Sequence, residues 1–439
     1  MKKSTVMTFA SLASAAALAA VPRVDENTVT ISQDVSRSVT VTYTLTQAAG
    51  IVTVDFQTNC VTEAGESWAS IGAENFQNLA GDVNCIVTEL GVAKTITWRP
   101  DISWGGHKIK DGVRAVVKAW ALDDPPEYVA FNLSTSGAVR FYSCAAAVPG
   151  GITHMDYKTD WLLMRKIPAA NVIWRMGSPV GEMGKTTYDD AKNERETPHL
   201  VRLSENYYMA VYETTQQQYL RIMQTSTNPS LYKSVADSPI HPVEQVSWND
   251  LRGDGAKGKD YEWPAKEHAV SSASVMGTLR SRWPNQPLFD LPTEAQWEFA
   301  CRAGCGSALY NGKELSSNYD WQTISEIGWV LNSTNATVAV GSCEPNAWGL
   351  YDTIGNVSEW CLDWWAQMTE TIEIVPGKVY EDPVGELTGK NEARSARGGS
   401  FNVIAANSRC AARSTRSGVT GLSSAIGFRV CCPAKFVIP

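Results

Sequence analysis

The stretch WGLYDTIGNVSEW, Trp348 to Trp360, decides how this chain is read. Asp352 and Glu359 bracket a tight turn, and Gly355 supplies backbone angles that other residues avoid. With the carbonyls of Gly355 and Val357, the two carboxylates make a hard, all-oxygen ligand set. Such a set suits calcium rather than zinc or copper. A solvated turn without an ion is the alternative the residues leave open. Trp348 and Trp360 flank the turn, and Trp248, Trp297, Trp364 and Trp365 share its neighbourhood in sequence texture. These large aromatics read as anchors of a core poor in regular structure, each burial worth about 2–3 kcal/mol, rather than as a sugar-stacking surface.

Upstream of the turn two helices stand out. LPTEAQWEFACRAG has Thr293 as N-cap, Glu294 and Glu298 toward the positive end and Gly304 as the stop. Trp297, Ala300 and Cys301 recur at i, i+3 and i+4, one buried face. In YETTQQQYLRIMQ, Thr214 is placed to cap the start, with Gln217 three residues on. Between Trp161 and Trp365 lie twelve of the sixteen tryptophans, among short strands and loops, which predicts an irregular α+β domain.

The first third has a different texture. From about residue 29 to 143 apolar residues alternate at period two. Val39, Val41, Tyr43 and Leu45 take one face and Thr/Ser the other. Several short strands at regular spacing predict an all-β, immunoglobulin-like sandwich over residues 24–144. AAAVPGGITH has the composition of a linker, assigned to 145–157, and the second domain is expected over 158–435. The first 19 residues carry Lys2 and Lys3, a short apolar run and Ala17-Leu18-Ala19, the pattern of a cleaved signal peptide. The expected location is therefore periplasmic, cell-surface or secreted. No later segment is long and apolar enough to predict a transmembrane helix.

The 38 Lys and Arg against 46 Asp and Glu give a net charge of −8, which becomes −10 when Lys2 and Lys3 leave with the leader. An acidic chain without a dense basic cluster argues against nucleic acid as a partner. Ten cysteines in an exported chain are disulfide candidates. Cys60 and Cys85 sit beside turns and either pair or remain two buried thiols.

Seven collinear motifs resemble the sulfatase-modifying-factor family, that of the formylglycine-generating enzyme. They are IPAANVIWRMGSP, ETPHLVRLSENYYMAVYETTQQQY, HPVEQVSWNDL, LPTEAQWEFACRAG, PNAWGLYDTIGNVSEWCLDWW, RGGSF and GFRV. The resemblance implies a compact, loop-rich α+β fold related to C-type lectin domains. It implies calcium at Asp352, Gly355, Val357 and Glu359. It also implies a disulfide between the 291–304 helix and the last strand. The family's bridging cysteine directly follows Phe-Arg, where this chain has Val430. Cys432 shares that face of the strand and is the expected partner of Cys301, with Cys431 the alternative.

The family's catalyst is a cysteine pair behind Gly-Gly-Ser that holds copper, a soft ion preferring sulfur. Counting from Ser400, those positions are Val403 and Ser408, and no cysteine lies between Cys361 and Cys410. Copper is therefore not expected. Iron is not expected either, because the five histidines lack the spacing of relatives that use it. Ser400 and Arg413 match residues near the family's substrate groove, while Ser358 replaces an active-site aromatic. The resulting expectation is an exported protein without formylglycine-generating oxidase activity, a pseudoenzyme binding a peptide, glycan or protein. The alternatives are an enzyme of the same family with altered oxidoreductase activity, and a structural or adhesive envelope protein.

Overall fold

The computed structural model describes residues 20–438, except 63–64, 108–111, 135–136, 180, 185–195, 254–262, 265–269, 284–286, 366–374, 385–392 and 417–418. The expected signal peptide, residues 1–19, lies outside the described residues.

The alternation read near the N-terminus builds two facing sheets. In one, Val39–Thr46 is central, pairing antiparallel with Arg23–Val24, Thr30–Gln33 and Ala93–Trp98. In the other, the long strand Gly50–Thr62 pairs with Gly65–Ser70, Cys85–Val87 and Val113–Trp120. Val39, Val41, Tyr43 and Leu45 are all buried, and they meet Val52, Val54 and Phe56 of the opposite sheet in one apolar core. Alternation fits because each strand has one face toward that core and one toward water.

The sandwich ends sooner than expected. Tyr128–Asn132 and Val139–Tyr142 do not belong to it. They join Trp161–Ile167, Tyr207–Ala210 and Cys431–Pro433 in a five-stranded sheet of the second domain. Strand period alone cannot say which sheet a segment enters, and Tyr128 to Phe131 are buried throughout, as a central strand requires. Residues 145–157 are not a free linker either. Val148 and Tyr157 are buried, and the Gln77 amide donates to the carbonyls of Ala146 (2.8 Å) and Val148 (3.0 Å). Small residues and paired glycines there serve a packed turn.

Both expected helices form. The first is Gln216–Met223, one residue later than read, with Thr215 and Gln218 in a reciprocal capping box. Thr214 is not the cap, because its backbone already pairs with Phe428 and Val243. The second is Glu294–Arg302, capped by Thr293 with Gln296 and closed by Ala303 and Gly304, both at positive φ. All nine of its residues are buried, not one face only. Its charged groups tolerate this because each meets a partner. Glu298 receives hydrogen bonds from Arg302 (2.9 Å), from the Gly177 amide (2.9 Å) and from Arg397, and Glu294 receives one from Arg413 (2.7 Å). The helix packs against Ser358–Trp364, the strand that leaves the decisive turn, and against Arg394–Arg397.

The cysteines sort differently from expectation. Cys301 and Cys410 lie in one buried cluster, where the Cys410 thiol hydrogen-bonds Cys301. Cys432 packs in another, with its sulfur 4.0 Å from that of Met164, and Cys431 belongs to a third. Cys301, Cys431 and Cys432 are all free thiols, so the expected bridge is not formed. Strand alternation gave the correct face but could not report that Cys410, far away in sequence, arrives first. The Cys60 side chain lies outside the described residues. Its backbone, however, pairs with Ser67 while Cys85 pairs with Val52, eight residues back along the same strand. That is about 26 Å of strand, too far for a disulfide.

Candidate functional site

The turn at 352–359 is built around one arginine, Arg429, marked beforehand only by its GFRV motif. Arg429 is fully buried and donates to both carboxylate oxygens of Glu359 (2.7 to 3.1 Å). Its remaining N–H groups reach the carbonyls of Ala210 (3.0 Å), Val211 (2.9 Å) and Tyr351 (2.7 Å). Trp297 of the helix completes the set, its indole N–H donating to Glu359 at 2.7 Å. From the other side, Glu213 accepts from the Asn356 amide (2.7 Å) and the Val357 N–H (3.1 Å). Asp352 accepts from the Gly341 N–H at 2.6 Å, and its other oxygen is buried without a hydrogen-bond partner among the described residues.

Three buried carboxylates thus face a single guanidinium. Burial pushes Asp352 up to about 6, against the helping charges of Arg429 and Lys158. Burial, followed by the negative charges of Asp352 and Glu359, raises Glu213 well above the usual carboxylate range. The four expected calcium ligands are therefore together, but they do not all fit an ion. Asp352 has an oxygen to give. Glu359 does not, because both of its oxygens are committed to Arg429 and Trp297. Among the described residues no three His, Cys, Asp or Glu side chains converge as a metal-binding group. Glu213, which sequence reading did not single out although it lies within ETPHLVRLSENYYMAVYETTQQQY, supports the turn from the connection between Tyr207–Ala210 and the Gln216–Met223 helix.

The loop that would hold the family's copper lies next to this turn. Gly398 and Gly399 have φ of 90° and 72°, which turns the chain sharply after Arg397. The Ser358 hydroxyl donates to the Gly399 carbonyl (3.0 Å), and Ser400 donates to the Asn402 side chain (2.9 Å). Val403 is half-buried, and the Leu331 N–H donates to its carbonyl at 2.9 Å. Ser408 ends a short 3-10 turn, Ala405–Ser408, and is buried against Gly399. Neither Val403 nor Ser408 offers a sulfur, so the residues present do not fit copper.

Ser358, Ser400 and Ser408 are at most 1% exposed. Among the described residues, Ser400 and Ser358 are therefore not open to solvent as the expected groove residues would be. Arg413 is separate from them, held by Glu294 and stacked 4.7 Å from the Trp365 ring. What the loop exposes instead are Asn402 and Asn407. A buried clamp fixes its far end, where Arg409 donates to Ser178 (2.9 Å), Glu182 (2.5 Å) and Glu196 (2.9 and 3.0 Å).

A second acidic pair makes the domain sensitive to pH. Asp363 accepts the Glu294 N–H at 2.8 Å, and burial together with the Glu294 charge lifts it to about 7. Asp363 and Asp352 keep protons in the folded chain that the unfolded chain releases near pH 4. Their contribution is complete below that value and is lost as pH rises through about 6 to 7. Asp320, held at about 2 by the Ser316 hydroxyl, works in the opposite direction only in strong acid. For Glu298, Arg302 and Arg397 outweigh burial and lower it, again an effect confined to acid. Urea midpoints are expected to rise by the equivalent of about 1–3 kcal/mol between pH 8 and pH 5.5. A midpoint that is flat or falls over that interval would contradict the assignment.

Comparison with known proteins places this geometry. The family model described as the sulfatase-modifying factor enzyme 1-like domain matches residues 177–434, more than half of the chain. The formylglycine-generating enzyme of Thermomonospora curvata is 34% identical over 177 residues, covering 38% of this chain and 47% of that protein. That of Streptomyces coelicolor is 31% identical over 207 residues, covering 44% and 54%. The chain thus spans about half the length of these curated relatives. Chaperone protein LppX of Paenibacillus barcinonensis is 29% identical, covering 48% of this chain and 85% of LppX. Among solved structures, Treponema denticola variable protein 1 aligns with a TM-score of 0.46 at 24% identity, covering 62% of this chain and 95% of that one. With an all-β module preceding an α+β domain built on the Arg429–Glu359 turn, the chain belongs to the sulfatase-modifying factor enzyme 1-like domain family.

Proposed function

We propose that this protein is an exported member of the family that has lost the copper-dependent oxidase chemistry and acts by binding. Its partner would be a peptide, glycan or protein. One observation carries the reading: Val403 and Ser408 stand where sulfur donors would be needed, on a loop that contains no cysteine. A soft cuprous ion finds no sulfur at those two positions, and Ser358, Ser400 and Ser408 are buried rather than open to a substrate thiol. Binding then falls to the crest of the loop, through Asn402 and Asn407, rather than to a cleft.

The test is direct. A Cys-x-Pro-x-Arg peptide incubated with the purified protein, copper and oxygen is expected to yield no formylglycine aldehyde beyond a protein-free control, as read by mass spectrometry after reduction of any disulfide. Conversion of that cysteine to an aldehyde would overturn the proposal.

A further inference from the structure

Away from the loop at Ser400 and Ser408, a cavity of about 470 Å³ opens between Thr153, the 325–329 segment and the 341–345 loop. It shares no residue with the turn ligands or with Ser358, Ser400, Ser408 and Arg413. Its walls carry two aromatic rings, Trp329 and Tyr351, and two carboxylates, Glu326 and Glu344, and none of its lining residues is basic. Behind its Gly341 wall stand both a carboxylate, Asp352, and an amine, Lys158. The Gly341 amide on its wall donates to Asp352, whose second oxygen is buried without a partner among the described residues.

The nearest amines are already engaged. Lys158 lies beneath Gly341 and donates to the Val340 carbonyl at 2.9 Å. Lys313 pairs with Glu326 at 2.6 Å, but both side chains are about half exposed or more, and such a surface pair yields readily to a competing cation. The wall groups register the surrounding carboxylates. Burial, then the charges of Asp352 and Glu344, pushes the Cys343 thiol up to about 12. Cys343 is therefore a neutral thiol that lends apolar surface rather than a nucleophile.

We propose that this cavity binds an organic cation, an ammonium or guanidinium group, between the Trp329 and Tyr351 rings and against Glu344. Aromatic faces attract such a cation electrostatically, and a carboxylate gives it a charge-assisted hydrogen bond. The volume admits a small molecule or a protruding side chain rather than a folded partner. The same chemistry can arrive as a free amine or as the end of a lysine or arginine side chain on another protein.

Calorimetric titration of the full chain separates these sources. The probes are n-butylammonium, its neutral analogue n-butanol, and a lysine peptide blocked at both ends. Saturable binding of n-butylammonium is expected, at least about tenfold tighter than n-butanol. Ser342→Lys, which puts an ammonium on the exposed rim, is expected to weaken it by about tenfold or more, and Glu344→Gln by about threefold or more. Both positions are exposed, and an unchanged circular dichroism spectrum and melting temperature confirm that each variant is folded. If the blocked peptide binds more tightly than n-butylammonium, the ligand is a partner's side chain. If it binds more weakly, the ligand is a free amine. Absence of saturation, equal affinity for n-butanol, or indifference to Ser342→Lys and Glu344→Gln would each overturn the proposal. None of these outcomes depends on whether the Cys-x-Pro-x-Arg peptide is oxidised.

Discussion

Replacing Arg429 with methionine is expected to abolish the folded second domain. Methionine fills much of the same volume, so the loss is electrostatic rather than steric. It strands Glu359 in a site that is 0% exposed, beside Glu213 and Asp352, which already lack a full share of positive charge. Removing one partner of a buried ion pair costs about 3–5 kcal/mol. The carbonyls of Ala210, Val211 and Tyr351 lose their donor in the same step, and each unsatisfied buried group adds about 1–3 kcal/mol. Together these approach or exceed the typical stability of about 5–15 kcal/mol for a whole domain. The measurement is soluble yield and cooperative urea unfolding. The double variant Arg429→Met with Glu359→Gln is expected to recover part of the loss, because it removes the stranded charge. A single variant that stays folded with an unchanged midpoint would show that the turn does not depend on this arginine.

Gly355→Ala is expected to be the next most damaging change. Gly355 has a φ of 81°, where an alanine costs about 1–2 kcal/mol by backbone strain alone. Its added Cβ would also meet the Trp329 carbonyl oxygen head-on and lie 2.7 Å from the carbonyl carbon. That obstacle is backbone and cannot rotate away, because the Asn356 N–H is bonded to the same oxygen at 2.8 Å. A loss of about 3–5 kcal/mol is expected, in the range of the severe single substitutions. Gly312→Ala supplies the control. Gly312 has nearly the same φ, 82°, and nothing within 4 Å of the added carbon. It should therefore show the strain without the collision, a loss of about 1 kcal/mol. Equal urea midpoints for the two variants would refute the argument from close approach.

Local chemistry was legible in the sequence, and long-range partnership was not. The Glu294–Arg302 helix announces itself through Thr293, Glu294 and Gly304, because caps act over three or four residues. The alternation at Val39 to Leu45 likewise finds its buried face without knowing what covers it. Glu213 sits within a matching motif, yet nothing local assigns it a role. Its role is set by Asn356, 143 residues away, and a lone acid before two threonines carries no sign of that meeting. The same limit misdirected the Cys301 pairing and the closing strands of the sandwich, since neither spacing nor period identifies a distant neighbour. Glu359 is a subtler case. Its position in the turn was right, but the arginine that occupies both its oxygens comes from the GFRV motif 70 residues later.

The strands Tyr128–Asn132 and Val139–Tyr142 have a mechanical consequence. Chain that looks like the tail of one module is woven into the sheet of the next, and Ile51 of the sandwich enters the core cluster of that sheet. Force applied at the N-terminal end would therefore be passed directly into the family domain, as along a rigid lever, instead of being absorbed by a slack tether.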